Sequence, residues 1–227
     1  MAVLPIFVMN IQYYGDYCFK ITTKPNGRAT EDVVIVTDVP AKGLGLRAPQ
    51  GEADIVLLSH QSPEAEELSV VKGDPVKIFA PGEYSARGVA VLGFPSARDA
   101  QGGAERGQNT IFLFETEEMR LCFLGALGAE PAPETIERLS GVDILFVPAG
   151  DGDTLPVNMI DDLVRRIEPK AVIPMHYKIA GMTTTLPDEK PFCKVMGNCP
   201  KETLPKWNVK KKDLEGKNLE VVLLAKN

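Results

Sequence analysis

The chain has 227 residues, of which 44% are hydrophobic and 25% charged, as in globular proteins and unlike disordered or collagen-like chains. Its formal charge of −6 and its pI of about 5.1 argue against nucleic acid or an anionic membrane as its partner. No apolar stretch reaches the roughly 18 residues that a membrane-spanning helix needs. Residues 1–9 lack the basic region and cleavage site of a signal peptide, so we expect a cytoplasmic protein.

Strand patterns dominate the first half of the sequence. Two apolar segments flank a Gly-Asp pair that is typical of a hairpin turn, and later segments are β-branched or continuously apolar. We predict strands at residues 6–13, 17–23, 33–39, 53–58, 76–80, 89–94, 110–116 and 120–124. A helix is predicted at residues 63–70, because Pro63 suits a first helical position and the glutamates that follow it suit the positive end of the helix dipole.

The second half alternates between helix and strand patterns. Helices are predicted at residues 133–139 and 157–167, and strands at residues 142–147, 171–175 and 219–225. Residues 187–205 are rich in Pro, Gly and Lys, so we expect an irregular C-terminal segment, residues 187–218, packed on the rest of the chain. No linker or repeat divides the sequence. We therefore expect one α/β domain over residues 1–227, with two β-rich halves face to face and helices outside.

Five sequence segments resemble the metallo-β-lactamase superfamily. Within it, they are most similar to the ascorbate-6-phosphate-lactonase-like Zn-dependent hydrolases. The segments are NIQYYGDYCF at 10–19, ADIVLLSH at 53–60, PGEY at 81–84, GGAERGQNT at 102–110 and IPMHY at 173–177. The resemblance implies a four-layer αββα sandwich and, as the ancestral activity, metal-dependent hydrolysis of a small anionic ester or lactone.

The metal ligands that the resemblance implies are partly replaced after the fourth predicted strand. Where relatives carry the pattern H-x-H-x-D-H, residues 60–65 read HQSPEA. His60 is therefore retained, whereas Ser62, Glu64 and Ala65 stand at the positions of the other three ligands. Relatives also often carry a histidine where Asp16 and Arg98 stand in this chain.

Further replacements occur after the strand predicted at 120–124. Where relatives carry C-H-L-G-D-L-G, residues 122–128 read CFLGALG, so Phe123 and Ala126 replace a histidine and a bridging aspartate. His176, in IPMHY, is retained. The whole sequence holds only two histidines, and a dinuclear zinc site of this kind needs about five histidine and carboxylate groups. We therefore expect no zinc cofactor and no zinc hydrolysis.

The leading expectation is a degenerate homologue whose cleft binds a small anionic molecule or a protein partner. The cleft is expected to be lined by Asp16, His60, Ser62, Glu64, Arg98, Phe123, Ala126 and His176. The alternative is a residual mononuclear zinc hydrolase that uses His60, His176 and a carboxylate, either Glu64 or Asp16. If catalysis persists, its candidate residues are Asp16, His60, Arg98 and His176. A nuclease of the same superfamily is disfavoured by the acidic charge, and the oligomeric state is left open.

Other candidate sites are weaker. Asp151 and Asp153 follow a predicted buried strand near the expected cleft, but an Asp-Gly-Asp run is more typical of a turn. Cys193 and Cys199 are disfavoured as a metal pair, because no second pair accompanies them. The four cysteines are expected to be reduced thiols. A Ser/His/Asp triad is excluded, because no G-x-S-x-G pattern is present.

Overall fold

The computed structural model describes residues 8–25, 31–60, 71–150 and 152–227. The helix predicted at 63–70 lies outside these ranges. In chain order the described elements are β1 (Met9–Gly15), β2 (Cys18–Thr23), β3 (Val33–Thr37), β4 (Ile55–Leu57), β5 (Val76–Ile78), β6 (Gly82–Ala86), β7 (Val89–Ala97), β8 (Gln108–Thr116), β9 (Met119–Phe123), α1 (Pro133–Leu139), β10 (Ile144–Pro148), α2 (Val157–Ile167), β11 (Ala171–Met175), α3 (Lys190–Met196), β12 (Trp207–Val209) and β13 (Glu220–Val221).

The described strands form two mixed sheets. The first sheet has the order β12-β1-β2-β3-β4-β5, and the second has the order β13-β11-β10-β9-β8-β7-β6. One part of each sheet is built from antiparallel hairpins. The parallel strands of the first sheet are β3, β4 and β5. Those of the second sheet are β9, β10, β11 and β13. The chain is a single αββα sandwich, as the sequence predicts.

Side-chain alternation explains how the first sheet is covered. Ile35 and Ile55 belong to the main core, whereas their neighbours Val36 and Val56 belong to a second apolar cluster. Because adjacent residues of a strand point to opposite faces, β3 and β4 are buried on both sides. In the second sheet all five positions of β10 and of β11 are buried, which accounts for their continuous apolar sequences.

The helices supply the outer cover of the described structure. The buried residues of α2 are Ile160, Leu163, Val164 and Ile167, which lie on one face of a helix with 3.6 residues per turn. α2 contacts both α1 and α3. Among the described residues, no helix has the length and apolar character that crossing a membrane requires.

The structure corrects the prediction for the C-terminal region. Residues 187–218 are not wholly irregular, because they contain α3, β12 and a short 3-10 helix at Lys211–Leu214. β12 is only three residues long and is formed by pairing with β1, for example Met9 with Val209, a long-range contact that local sequence does not encode. The last predicted strand shortens to Glu220–Val221. β6 was missed, since its residues are mostly exposed.

The expectation of four reduced cysteines is also wrong. Cys193 and Cys199 form a disulfide bond, and Cys18 and Cys122 are free and buried. Cys193 lies in α3, and Cys199 follows the glycine that ends this helix, so the helix turns the two thiols toward one another. The bond also removes this pair as a metal site.

Candidate functional site

A polar cavity of about 230 Å³ lies where loops from both sheets meet. Its titratable side chains each come from a turn or loop that follows a strand. They are Asp16 and Tyr17 after β1, Asp38 and Lys42 after β3, His60 after β4, Arg98 after β7, Asp153 after β10 and His176 after β11. In parallel sheets the carboxyl ends of neighbouring strands share one edge, which is why residues so distant in sequence converge here.

His176 is the centre of this cavity. Its Nδ1 donates to Asp16 Oδ1 at 2.6 Å, and its Nε2 donates to Asp153 Oδ1 at 2.8 Å. The backbone N–H of His176 also donates to the carbonyl oxygen of Asp16 at 2.8 Å. His176 has a φ of +55°, a left-handed conformation that is uncommon for residues other than glycine. These contacts hold the ring between two carboxylates.

The paired carboxylates decide the charge on this ring. Burial lowers the pKa of His176, but the hydrogen bonds and negative charges of Asp153 and Asp16 outweigh burial and raise it to about 9. The hydrogen bond from His176 lowers the pKa of Asp153 to about 2. At neutral pH the cavity therefore contains an imidazolium ion with both N–H groups engaged.

Tyr17 forms one wall of the cavity. Its ring stacks on that of His176 at a centroid distance of 4.2 Å and an interplanar angle of 10°, and it meets His60 edge-on at 5.4 Å. Burial raises the pKa of Tyr17 well above its usual value, so its hydroxyl stays protonated. This hydroxyl is buried and has no hydrogen-bond partner among the described residues. It is a donor available to a molecule inside the cavity.

A hydrogen-bonded chain holds the second histidine. The Ser59 backbone N–H donates to Asp38 Oδ1 at 2.7 Å, and Ser59 Oγ donates to Asp38 Oδ2 at 2.5 Å. With its own proton used in this way, Ser59 Oγ accepts from His60 Nδ1 at 2.9 Å. His60 Nε2 then carries the ring's lone pair. Burial, together with the charges of Arg98 and His176, lowers the pKa of His60 to about 3, so this ring is neutral.

Asp38 titrates differently from the other carboxylates of the cavity. It is 6% exposed, and burial raises its pKa to about 7 although Ser59 donates two hydrogen bonds to it. The charge of the Asp38–Ser59–His60 chain therefore changes near neutral pH.

The hydrogen bonds of the two histidines bear on whether the described part of the site could hold a zinc ion. A histidine that binds zinc offers the lone pair of one ring nitrogen and donates the other N–H to a neighbour. His60 meets this requirement, but both ring nitrogens of His176 donate to carboxylates. Within the described ranges, no group of three or more His, Cys, Asp or Glu side chains is arranged to hold a metal ion.

The structure brings together some of the residues predicted to line the cleft and separates others. Asp16, His60, Arg98 and His176 line the same cavity. Phe123 and Ala126 do not line it: both are 0% exposed and lie in the hydrophobic core. Their apolar side chains pack between the sheets, so the expectation that they face the cleft is wrong. Ser62, Glu64 and Asp151 lie outside the described residues.

Sequence reasoning missed three contributors and misjudged a fourth. Asp38, Ser59 and Tyr17 were not proposed for the site, although Ser59 and Tyr17 lie in two of the segments that carry the family resemblance. Asp153 was interpreted as part of a turn, whereas its carboxylate contacts the ring of His176. The position of Asp153 directly after a buried parallel strand was the available signal, because such loops border clefts in α/β folds.

A larger cavity of about 480 Å³ also includes His60 in its wall. It is lined by apolar side chains such as Phe79, which is 57% exposed, and by Asn109. Asn109 Nδ2 donates to Ser96 Oγ and to the carbonyl oxygen of Leu124. His60 thus borders two cavities, of which the larger is lined by both apolar and uncharged polar side chains.

The sequence profile of the β-lactamase superfamily domain matches residues 10–176 of this chain. A UPF0173 metal-dependent hydrolase of Listeria monocytogenes serotype 4b is 23% identical over an alignment of 201 residues, which covers 74% of this chain and 85% of that protein. Another from Listeria monocytogenes serovar 1/2a is 25% identical over 202 residues, with the same two shares. The profile match, residues 10–176, includes every residue that lines the polar cavity around His176.

Solved structures show the same architecture. A protein of Thermotoga maritima, assigned to the Zn-dependent hydrolases of the metallo-β-lactamase superfamily, superimposes with a TM-score of 0.75 and 28% identity, covering 95% of this chain and 98% of that one. Igni18, a metallo hydrolase from Ignicoccus hospitalis, superimposes with a TM-score of 0.61 at 16% identity, covering 97% of this chain and 96% of its own. The second likeness concerns the fold alone.

Proposed function

This chain belongs to the metallo-β-lactamase superfamily, and from that premise we propose that its cleft binds a small anionic molecule, or an anionic group of a protein partner, without zinc-dependent hydrolysis. The observation that carries the proposal is the pair of hydrogen bonds from His176 to Asp16 and Asp153. These hydrogen bonds engage both ring nitrogens of His176, whose counterpart in relatives is expected to bind metal. The resemblance implies a histidine and a bridging aspartate where Phe123 and Ala126 stand, and neither of these side chains carries an atom that binds zinc.

Anion binding is supported by the donors around the cavity. Arg98 and Lys42 line it together with the His176 imidazolium and the buried hydroxyl of Tyr17. A guanidinium and an unpartnered hydroxyl are donors that suit carboxylate or phosphate oxygens. The ring of His176 lies between the two neighbouring carboxylates and offsets part of their negative charge.

The test is a zinc titration with elemental analysis. After chelation and dialysis, we expect less than one equivalent of zinc at micromolar free metal, and no zinc-dependent phosphodiesterase or lactonase activity. The variant His60→Ala with His176→Ala serves as the comparison. Stoichiometric, tight zinc binding in the wild type that is absent from this variant would overturn the proposal.

Anion binding is tested separately, by a calorimetric titration with phosphate. Arg98→Ala should bind phosphate more weakly than the control Arg87→Ala, which changes a largely exposed arginine.

The second candidate is a mononuclear zinc hydrolase that uses His60, His176 and a carboxylate. One observation favours it: Ser59 holds His60 so that Nε2 keeps its lone pair, as a ligand must. For a second ligand, however, His176 would have to give up the proton that it donates to Asp153 or Asp16. Zinc that binds only to the wild type and supports hydrolysis would promote this candidate.

The placement within the superfamily is also proposed here. We assign the chain to the ascorbate-6-phosphate-lactonase-like branch as a member whose metal site has degenerated, on the five segments that resemble that branch. A cytoplasmic location stays a prediction, and fractionation of cells that express the full chain would test it.

A further inference from the structure

Asp153 differs from the other two carboxylates of the polar cavity in how it is held. Its side chain is 38% exposed, against 16% for Asp16 and 6% for Asp38. It follows Gly150 and Gly152, which have φ values of +94° and +85°, a conformation that glycine adopts at little cost. Among the described residues, the Asp153 side chain accepts a hydrogen bond from His176 Nε2 at 2.8 Å. Asp153 is thus the carboxylate that can leave the cavity with least disruption.

The position of Asp153 is one that a ligand oxyanion would suit. His176 Nε2–H points at its carboxylate, Arg98 lines the same cavity, and the positive charge of Arg106 also acts on Asp153. Asp16 continues to hold the other side of the ring through Nδ1. Removal of the Asp153 carboxylate would therefore leave the Nε2 side of this ring facing the cavity without its present partner.

A second, independent observation shows that the cavity has a donor without an acceptor. Tyr17 is 3% exposed, lines the cavity and stacks on His176, yet its hydroxyl has no hydrogen-bond partner in the described part of the chain. Buried polar groups are nearly always satisfied in folded proteins. An acceptor atom brought by a ligand would satisfy this hydroxyl, whereas Asp153 does not.

We propose that the Asp153 carboxylate occupies an oxyanion subsite of the cleft, and that a small ligand carrying a carboxylate or phosphate group displaces it. One ligand oxygen takes the hydrogen bond of His176 Nε2–H, and another accepts from the Tyr17 hydroxyl. The guanidinium of Arg98 balances the ligand's charge. The inference rests on the proposed anion-binding function and adds that the Asp153 carboxylate occupies the oxyanion subsite when no ligand is bound.

The size of the cavity limits the ligand. Its volume is about 230 Å³, which is below the range of about 300 to 1,000 Å³ that is typical of sites for drug-sized molecules. A carboxylate or phosphate on a small carbon skeleton fits this volume, whereas a nucleotide does not.

The experiment measures the affinity for inorganic phosphate and for acetate by calorimetry, at one pH and one salt concentration. We expect Asp153→Ala to bind at least one of the two at least ten-fold more tightly than the wild type, because the internal competitor has been removed. Asp162→Ala, which removes an equal charge from an exposed position of α2, should leave both affinities unchanged. Tighter phosphate assigns a phosphate ligand, and tighter acetate assigns a carboxylate.

Two further variants test the named donors. The gain should disappear when Arg98→Ala is added to Asp153→Ala, and it should fall when Tyr17→Phe is added. A folded Asp153→Ala protein that binds neither anion more tightly than the wild type overturns the inference, and so does an equal gain in Asp162→Ala.

A measurement on the wild type keeps the test independent of the variants' folding. In a two-dimensional NMR titration with phosphate, the amides of Gly150 and Gly152 should shift together with the His176 ring signals. If the His176 ring signals do not shift, or if they shift while the glycine amide signals stay in place, the proposed displacement of Asp153 is overturned.

Zinc analysis of the same samples separates the proposed function from this further inference. Tight stoichiometric zinc overturns the proposed function, whereas zinc-free protein with no gain in Asp153→Ala overturns only this inference.

Discussion

The substitution His176→Gln should change how the stability of this protein depends on pH. The pKa of His176 is about 9 in the folded chain, against about 6.5 for an unfolded histidine. Since the folded pKa is the higher one, the stabilisation is complete below pH ~6.5 and is lost as the pH rises through about 9. Between pH ~7 and ~8.5 the folded chain holds close to one proton more than the unfolded chain, which corresponds to about 2 kcal/mol at 1.36 kcal/mol per pH unit.

The limits of this pH window are set by other groups. Below pH ~7 the ionisation of Asp38, whose pKa is raised to about 7, also changes stability. Above pH ~8.5 the unfolded chain ionises Cys18 and Cys122, whose pKa values are raised by burial in the folded protein. Within the window these groups make smaller contributions to the slope, and His176 makes the largest one.

The assay is urea unfolding at several pH values within this window, with the extrapolated free energy of unfolding as the readout. The wild type should lose about 2 kcal/mol more than His176→Gln across this range, because the smaller losses from Asp38, Cys18 and Cys122 occur in both proteins. At pH 7 His176→Gln should also be destabilised by about 3 kcal/mol, because two carboxylates lose their buried partner. His60→Gln is the matched control: the pKa of His60 is about 3, so this variant should keep the wild-type slope. An unchanged slope in His176→Gln would refute the assignment of an imidazolium to the cavity.

Three further predictions concern stability, each measured as a free energy of unfolding. Gly128→Ala should lose about 3 kcal/mol, because the added Cβ would lie 2.0 Å from the carbonyl oxygen of Arg98. Asp143→Asn should lose about 3 kcal/mol, because this carboxylate, 2% exposed, accepts hydrogen bonds from two lysines and a backbone N–H. Cys193→Ser with Cys199→Ser should lose about 2 kcal/mol by the loop-entropy relation, since the bond closes a short loop with a sequence separation of 6.

Each of these variants has its own control. Gly141→Ala adds a Cβ with no atom within 4 Å at a φ of +68°, so only backbone strain of about 1 kcal/mol is expected. Asp188→Asn removes a carboxylate whose partner, Lys190, is exposed, and it should change stability by less than about 0.5 kcal/mol. Reduction of the wild-type disulfide should reproduce the loss of the double serine variant. Equal effects of a variant and its control would contradict the corresponding explanation.

The parallel parts of the fold were predictable from the sequence because burial on both faces gives a distinct pattern. Val56, Leu57, Phe146 and Ile173 were expected in buried strands, and the structure confirms all four at 0% exposure. The placement of His176 at the end of its strand follows from the same pattern. The short β12 was not predictable, since its three residues become a strand only by pairing with β1. Pairing of this kind depends on tertiary contacts more than on local propensity.

The site was predictable in its positions and less so in its chemistry. The two retained histidines were expected to face one cleft, and both line the same cavity. Their opposite charge states could not be read from the sequence, because the pKa of each depends on burial and on partners far along the chain. Asp153 and Asp16 raise the pKa of His176, whereas burial lowers that of His60.

The contact between His176 and Asp16 joins residues 160 positions apart, and this separation has a consequence for synthesis. When Asp16 leaves the ribosome, most of the chain that will neutralise it has not yet been made. Until β11 joins its sheet, Asp16 and Asp153 lack the cation that pairs with them, and they repel one another if the first sheet docks early. This repulsion opposes closure of the cleft before His176 is in place. Arrival of His176 then closes the loop between the two sheets, a step whose entropic cost grows with the length of the intervening chain.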